Sequence, residues 1–128
     1  MLDKKLTDLI NGKNFALFGT ISKNGYPHVT PTWVDTDGEH IIINTAIGRT
    51  KQRNAERERK VSVTIVNHEN PYSYAFVQGT VVEQRTDGAD ENIDRLAKKY
   101  TGMDKYQNRR PGEKRVMLVI RPEHVVQQ

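Results

Sequence analysis

The sequence predicts a mainly β protein: a closed or nearly closed antiparallel β-barrel of six strands, carrying two or three short helices. Three observations predict it. Apolar runs of strand length recur along the chain, Asn24-Gly25 and Asp37-Gly38 supply tight hairpin turns, and helical periodicity is confined to short segments. Closure is favoured because few prolines guard the strand edges, and a closed sheet has no edge to protect.

Each element has its own signal. Leu2, Leu6, Leu9 and Ile10 recur at helical spacing before the stop Asn11-Gly12, which predicts a helix over 2–12. Phe15–Ser22 is an apolar strand that turns at Asn24-Gly25 into an alternating return strand, Pro27–Asp35. Asp37-Gly38 leads to the third strand, Glu39–Thr45, so the first three strands read as a meander. A short basic helix follows Gly48, with Thr50 as its expected N-cap. Val61–Val66 is a strand of alternating apolar residues, and Tyr72–Glu83 a long strand in which Gly79 marks a bulge or a close backbone approach. Thr86-Asp87-Gly88 opens a helix whose stripe is Ile93, Leu96, Ala97 and Tyr100, with Asp90 and Glu91 in its first turn and Lys98 and Lys99 in its last. A polar loop then leads to the sixth strand, Arg115–Ile120, which Arg121-Pro122 is expected to end.

The chain of 128 residues is of single-domain length, with one domain spanning 1–128. Its hydrophobic fraction of 35% is low for a monomer of this size, so further burial at a subunit interface is expected. It contains no cysteine, which excludes disulfides and thiolate metal sites and fits a reducing, cytoplasmic setting. No signal peptide and no membrane-spanning apolar run is visible, and His40, His68 and His124 have no metal-ligand spacing. The net charge is +4, from 20 basic and 16 acidic residues, which suits an anionic partner.

That charge is concentrated where it has chemical meaning. The β-branched run Ile41–Ile43 stops at Asn44-Thr45-Ala46 and opens through Gly48 into the basic helix, placing Arg49, Lys51 and Arg53 in its first turn. A helix N-terminus already favours an anion through its free amides and dipole. Arginine adds a bidentate fork and lysine a compact charge, so a phosphate site is the natural reading of this turn, beside the plainer one of a solvated helix face. Nucleic acid is disfavoured as the partner, because no aromatic residues interleave with the basic helix to stack on bases.

Four stretches are recognisable: Gly25–Trp33 (GYPHVTPTW), Asn44–Asn54 (NTAIGRTKQRN), Val77–Val81 (VQGTV), and Asp87–Asp90 running on to Tyr100-Thr101-Gly102; Pro111-Gly112-Glu113 and Arg121-Pro122-Glu123 also fit. In these the chain resembles the pyridoxamine 5'-phosphate oxidase-like family, which has an FMN-binding split-barrel fold of Greek-key type, and most closely its small members that use the deazaflavin coenzyme F420. The resemblance covers nearly the whole chain. It implies a homodimer with two cofactors at the subunit interface. Carried over by position, Arg49 and Lys51 would bind the cofactor phosphate, supported by Thr45, Thr50 and Asn54. Pro31, Thr32 and Trp33 would face the ring, with Gln78 and Gly79 close by.

The function implied is an oxidoreductase transferring hydride between F420 and a small conjugated organic substrate. The alternatives are an FMN-dependent oxidoreductase of the same family and a flavin or tetrapyrrole carrier without turnover. No catalytic residue is assigned; Tyr74 and His28 are candidates for a proton donor only because both are expected to face the pocket and can give a proton. Plainer roles exist for several of these side chains. Trp33 can equally fill a core or an interface, His28 can be an ordinary strand histidine, and Tyr72, Tyr74 and Phe76 share one strand face that suits core or dimer contact.

Overall fold

The computed structural model describes residues 1–128. It contains helix α1 (Lys4–Asn11), strands β1 (Ala16–Ile21), β2 (Pro27–Thr32), β3 (Asp35–Thr36) and β4 (Ile41–Ala46), helix α2 (Thr50–Arg57), strands β5 (Lys60–Val66) and β6 (Tyr74–Arg85), helix α3 (Ala89–Thr101) and strand β7 (Arg115–Gln127). All seven strands belong to one antiparallel sheet in the order β2-β1-β5-β6-β7-β4-β3. Because β4 returns beside β7, strands β4 to β7 form a Greek key. The result is a mainly β, curled sheet of split-barrel type with three helices.

The strand count is seven rather than six, and the reason lies at Trp33-Val34. The Val34 N–H donates to the Tyr100 hydroxyl at 3.2 Å, and its carbonyl accepts from the Lys99 ammonium at 3.0 Å. Committed to α3, this backbone cannot join a ladder, and the predicted strand Pro27–Asp35 divides in two. Its first part pairs with β1 and its second with β4 (Asp35 opposite Ile42, Thr36 opposite Ile41), so one short stretch of chain bridges both edges of the sheet. The expected meander is corrected in the same way: β4 spends its length on β7, from Ile41 opposite Ile120 to Ala46 opposite Arg115.

The end of the chain differs as well. β7 runs past Pro122 to Gln127, because Pro122 falls opposite Gly79 where the register of β6 shifts, and a bulge tolerates the missing N–H. Gly79 is required there: a Cβ would lie 2.6 Å from the Arg121 carbonyl oxygen and 2.9 Å from Ile120. The barrel interior is filled by Phe18, Ile41, Ile43, Ile65, Leu118 and Ile120, and α1 closes one side with Leu6 and Ile10. Asp3 caps α1 by accepting from the Leu6 N–H at 2.9 Å. Against the other face of β4 and β7, α3 packs Ala89 on Ile42 and Met117.

Candidate cofactor site

β4 ends at Ala46 and the chain turns sharply into α2 at Gly48, whose φ of +93° a residue with a Cβ adopts only with strain. The Gly48 N–H donates to the Gln52 side chain at 2.8 Å, and the Gln52 amide reaches Gln84 at 3.0 Å, so a buried glutamine fixes the turn. Arg49, not Thr50, is the N-cap residue, and its side chain makes no capping bond. Thr50 is already helical, since the first intrahelical bond runs from Arg53 N–H to the Arg49 carbonyl at 3.0 Å. The amides of Thr50, Lys51 and Gln52 therefore have no main-chain acceptor.

Beside this turn lies a cleft of about 300 Å³. Pro31, Thr32 and Trp33 form one wall of it, and Thr45, Arg49 and Lys51 another. Arg115, at the start of β7, supplies a third cation with a side chain only 3% exposed. One carboxylate serves two of the three: Glu113 lies 2.8 Å from Arg49 and 3.2 Å from Arg115. Lys51 has no acidic partner and no hydrogen-bond acceptor. Burial first, then the positive charge of Arg49 and Arg115, depresses its pKa.

Two buried polar atoms in the same cleft lack hydrogen bonds, Thr45 Oγ1 and Arg115 Nη1, the latter near Glu113 but misaligned for bonding. An excess of positive charge and an unpaired buried hydroxyl in one cleft are chemically suited to an anion. Arg115 itself is fixed by Asn44, whose carbonyl accepts from Nε at 2.9 Å, while the Asn44 amide bonds Asn92 Oδ1 and the Ala89 carbonyl.

The apolar part of the cleft is aromatic. Trp33 stacks on Tyr100 with ring centres 5.2 Å apart and planes within 4°, and Tyr106 meets its edge at 6.0 Å. The Arg115 guanidinium sits 5.0 Å over the Tyr106 ring. Tyr100 is a structural pillar. Its hydroxyl donates to the Asn14 carbonyl at 2.6 Å, and burial pushes its pKa up to about 12.

Of the ten residues expected around a cofactor, the structure brings together Pro31, Thr32, Trp33, Thr45, Arg49 and Lys51. Thr50 is exposed on the first turn of α2, outside the cleft lining. Asn54 is buried beneath α2, donating to Thr20 Oγ1 at 3.0 Å and accepting from Arg57 at 2.8 Å. Gln78 and Gly79 line a separate depression of about 600 Å³, together with Gly19 and Ser62 of β1 and β5. Neither His28 nor Tyr74 lines the cleft; His28 Nδ1 is buried without a partner.

Sequence reasoning missed Arg115, Tyr106 and Phe15 as cleft residues. Arg115 had a usable signal, a lone arginine opening an otherwise apolar strand, which if buried must find a counter-charge. Phe15 and Tyr106 reach the cleft through tertiary packing that no local pattern announces. The structure holds no cluster of three or more His, Cys, Asp or Glu side chains placed to bind a metal, and no helix is long and apolar enough to cross a membrane.

The same architecture occurs in known proteins. A solved F420 reductase superposes with a TM-score of 0.81 at 26% identity, over 94% of this chain and 95% of that one. HupZ from Group A Streptococcus gives 0.70 at 25% identity, over 99% and 94%. General Stress Protein 26 from Bacillus anthracis gives 0.69 at 18% identity, over 97% and 91%, a likeness of fold alone. Among curated proteins no sequence matches. The sequence model of the pyridoxamine 5'-phosphate oxidase family matches residues 2–128, and with the split-barrel sheet already in place this chain belongs to that family.

Proposed function

We propose that the protein is an oxidoreductase that binds the deazaflavin F420 and transfers hydride between it and a small conjugated organic substrate. The observation that carries this reading is the under-neutralised anion cradle of Arg49, Lys51, Arg115 and the unpaired Thr45 hydroxyl, set beside the Trp33–Tyr106 aromatic wall. These residues fit a cofactor that joins a phosphate to a flat ring. Lys51 and Arg49 hold the phosphate, Thr45 donates its hydroxyl, and the backbone of Pro31–Trp33 flanks the ring. The F420 group supplies the hydride chemistry; the protein orients it and excludes water. Similarity to a solved F420 reductase supports F420 as the cofactor, while membership of the pyridoxamine 5'-phosphate oxidase family keeps the riboflavin phosphate FMN as the alternative.

The reading includes a homodimer. Pro31, Leu17, Thr64, Phe76 and Val126 lie in register across the outer face of β2, β1, β5, β6 and β7. Leu17, Val29 and Val126 are 40%, 57% and 53% exposed there, a run of apolar surface suited to a second copy. The Gln78–Gly79 depression opens on the same face, where two copies would bring it near a cofactor.

The test is direct. Purified protein is mixed with reduced F420 and a panel of quinones and enones, and cofactor oxidation is followed by absorbance. Acceptor-dependent oxidation supports the reading. Protein that binds FMN instead and reduces the same acceptors with it would move the assignment to FMN, and binding of either without turnover would leave a carrier.

A further inference from the structure

Residues 102–114, between α3 and β7, form neither helix nor strand, yet two acidic side chains pin them over the cleft. Near one end Asp94 of α3, 17% exposed, accepts from the Tyr106 N–H at 2.9 Å and from Arg109 at 3.0 Å, with the Lys105 ammonium 3.5 Å away. At the other end Glu113 is held by Arg49 and Arg115. Between these anchors the segment is almost wholly exposed, except for Tyr106, which is half-buried against Trp33 and beneath the Arg115 guanidinium.

We propose that residues 102–114 are a lid on the cofactor cleft and that Asp94 is the positioning residue that latches it, seating Tyr106 against Trp33 and Arg115. The inference deepens the F420 reading and rests on it for the identity of the ligand, but not for the latch. Asp94 does not itself line the cleft, so it acts through Tyr106. The bond from the Tyr106 amide to the partly buried, ionised carboxylate is the strong part of the latch, because exposed ion pairs such as that to Lys105 contribute little. Burial opposes ionisation of Asp94, but the Tyr106 amide, Arg109 and Lys105 outweigh it and keep the carboxyl below its ordinary pKa. A segment with little packing of its own, held mainly at two carboxylates, is the kind that opens locally without global unfolding.

Trp33 is the only tryptophan, so its fluorescence reads the lid in the free protein. Wild type, Asp94→Ala, Asp94→Glu, Tyr106→Ala and the Asp94→Ala/Tyr106→Ala double variant are compared by acrylamide quenching and thermal melting, and then by titration with oxidised F420. Asp94→Ala is expected to raise the quenching constant about two-fold, as local opening bares Trp33. It should weaken F420 binding about ten-fold, the loss expected when the closed population falls ten-fold. Asp94→Glu recovers most of both. Tyr106→Ala weakens binding to a similar degree, and the double variant adds little, because the two act as one unit. Unchanged quenching in a folded Asp94→Ala protein overturns the proposal, as does additive loss in the double variant. The quenching arm needs no cofactor. If wild type fails to bind F420 while quenching responds as expected, the cofactor reading fails and the latch stands.

Discussion

Lys51→Ala removes the one cleft cation that no group of the protein neutralises. In the free protein this ammonium sits half-buried beside Arg49 and Arg115, and burial together with those like charges pushes its pKa down. Its charged form is thus disfavoured in the fold, and removing it relieves repulsion rather than breaking a bond. The melting temperature of Lys51→Ala should equal or exceed that of wild type. With cofactor bound, the balance reverses. A hydrogen bond to a charged group contributes about 1.5–3 kcal/mol, which corresponds to a roughly 10- to 150-fold rise in Kd. The assay is an equilibrium titration with F420 at fixed salt, run beside a thermal melt of the same sample. Arg49→Ala should lose a comparable factor and also melt lower, because it strips Glu113 of its 2.8 Å partner. Kd values within two-fold of wild type for both variants would refute the phosphate assignment, as would an affinity loss accompanied by an unfolding Lys51→Ala protein.

Three other perturbations test the frame around the site. Lys99, whose ammonium bonds the Ile10 and Val34 carbonyls, has a pKa lowered by burial to about 8 from 10.5, so between those values the unfolded chain binds more protons and stability rises with pH. Tyr100 is raised from 10.0 to about 12, so across that range the folded chain keeps its proton longer and stability falls; denaturant titrations should show a maximum near pH 10, with Lys99→Met erasing the rise and Tyr100→Phe the fall. Gly79→Ala forces a Cβ to within 2.6 Å of the Arg121 carbonyl oxygen, and about 1–3 kcal/mol of stability should be lost in urea melts. Leu17→Glu puts a charge in the middle of the outer apolar face and should convert a dimer into monomers in light scattering; a wild-type monomer that binds cofactor at full strength would sink the shared-interface reading.

Much of this molecule is legible in its sequence. The helix over Ala89–Thr101 follows from the Ile93, Leu96, Ala97 and Tyr100 stripe, the hairpins from Asn24-Gly25 and Asp37-Gly38, and the basic turn from the run through Gly48. These signals are local, so sequence carries them. What was not legible depends on partners far away in the chain. The break at Trp33-Val34 exists because Lys99 and Tyr100, some 65 residues on, claim the Val34 backbone. Pro122 stays inside a strand only because Gly79 across the ladder shifts register. Thr50 had the right chemistry for an N-cap, but the turn at Gly48 places the helix boundary one residue earlier. Arg115, Glu113 and Tyr106 come to the cleft from the last strand and the loop before it, and their roles appear only once β7 lies beside β4.

A crystal structure of the protein soaked with F420 is the most direct measurement of the central claim. The account expects the cofactor's phosphate between Lys51 and Arg49, within hydrogen-bonding distance of the Thr45 hydroxyl, and the ring along Pro31–Trp33. Density for that phosphate at any other place on the barrel, with the Lys51 amine still free of it, would contradict the account.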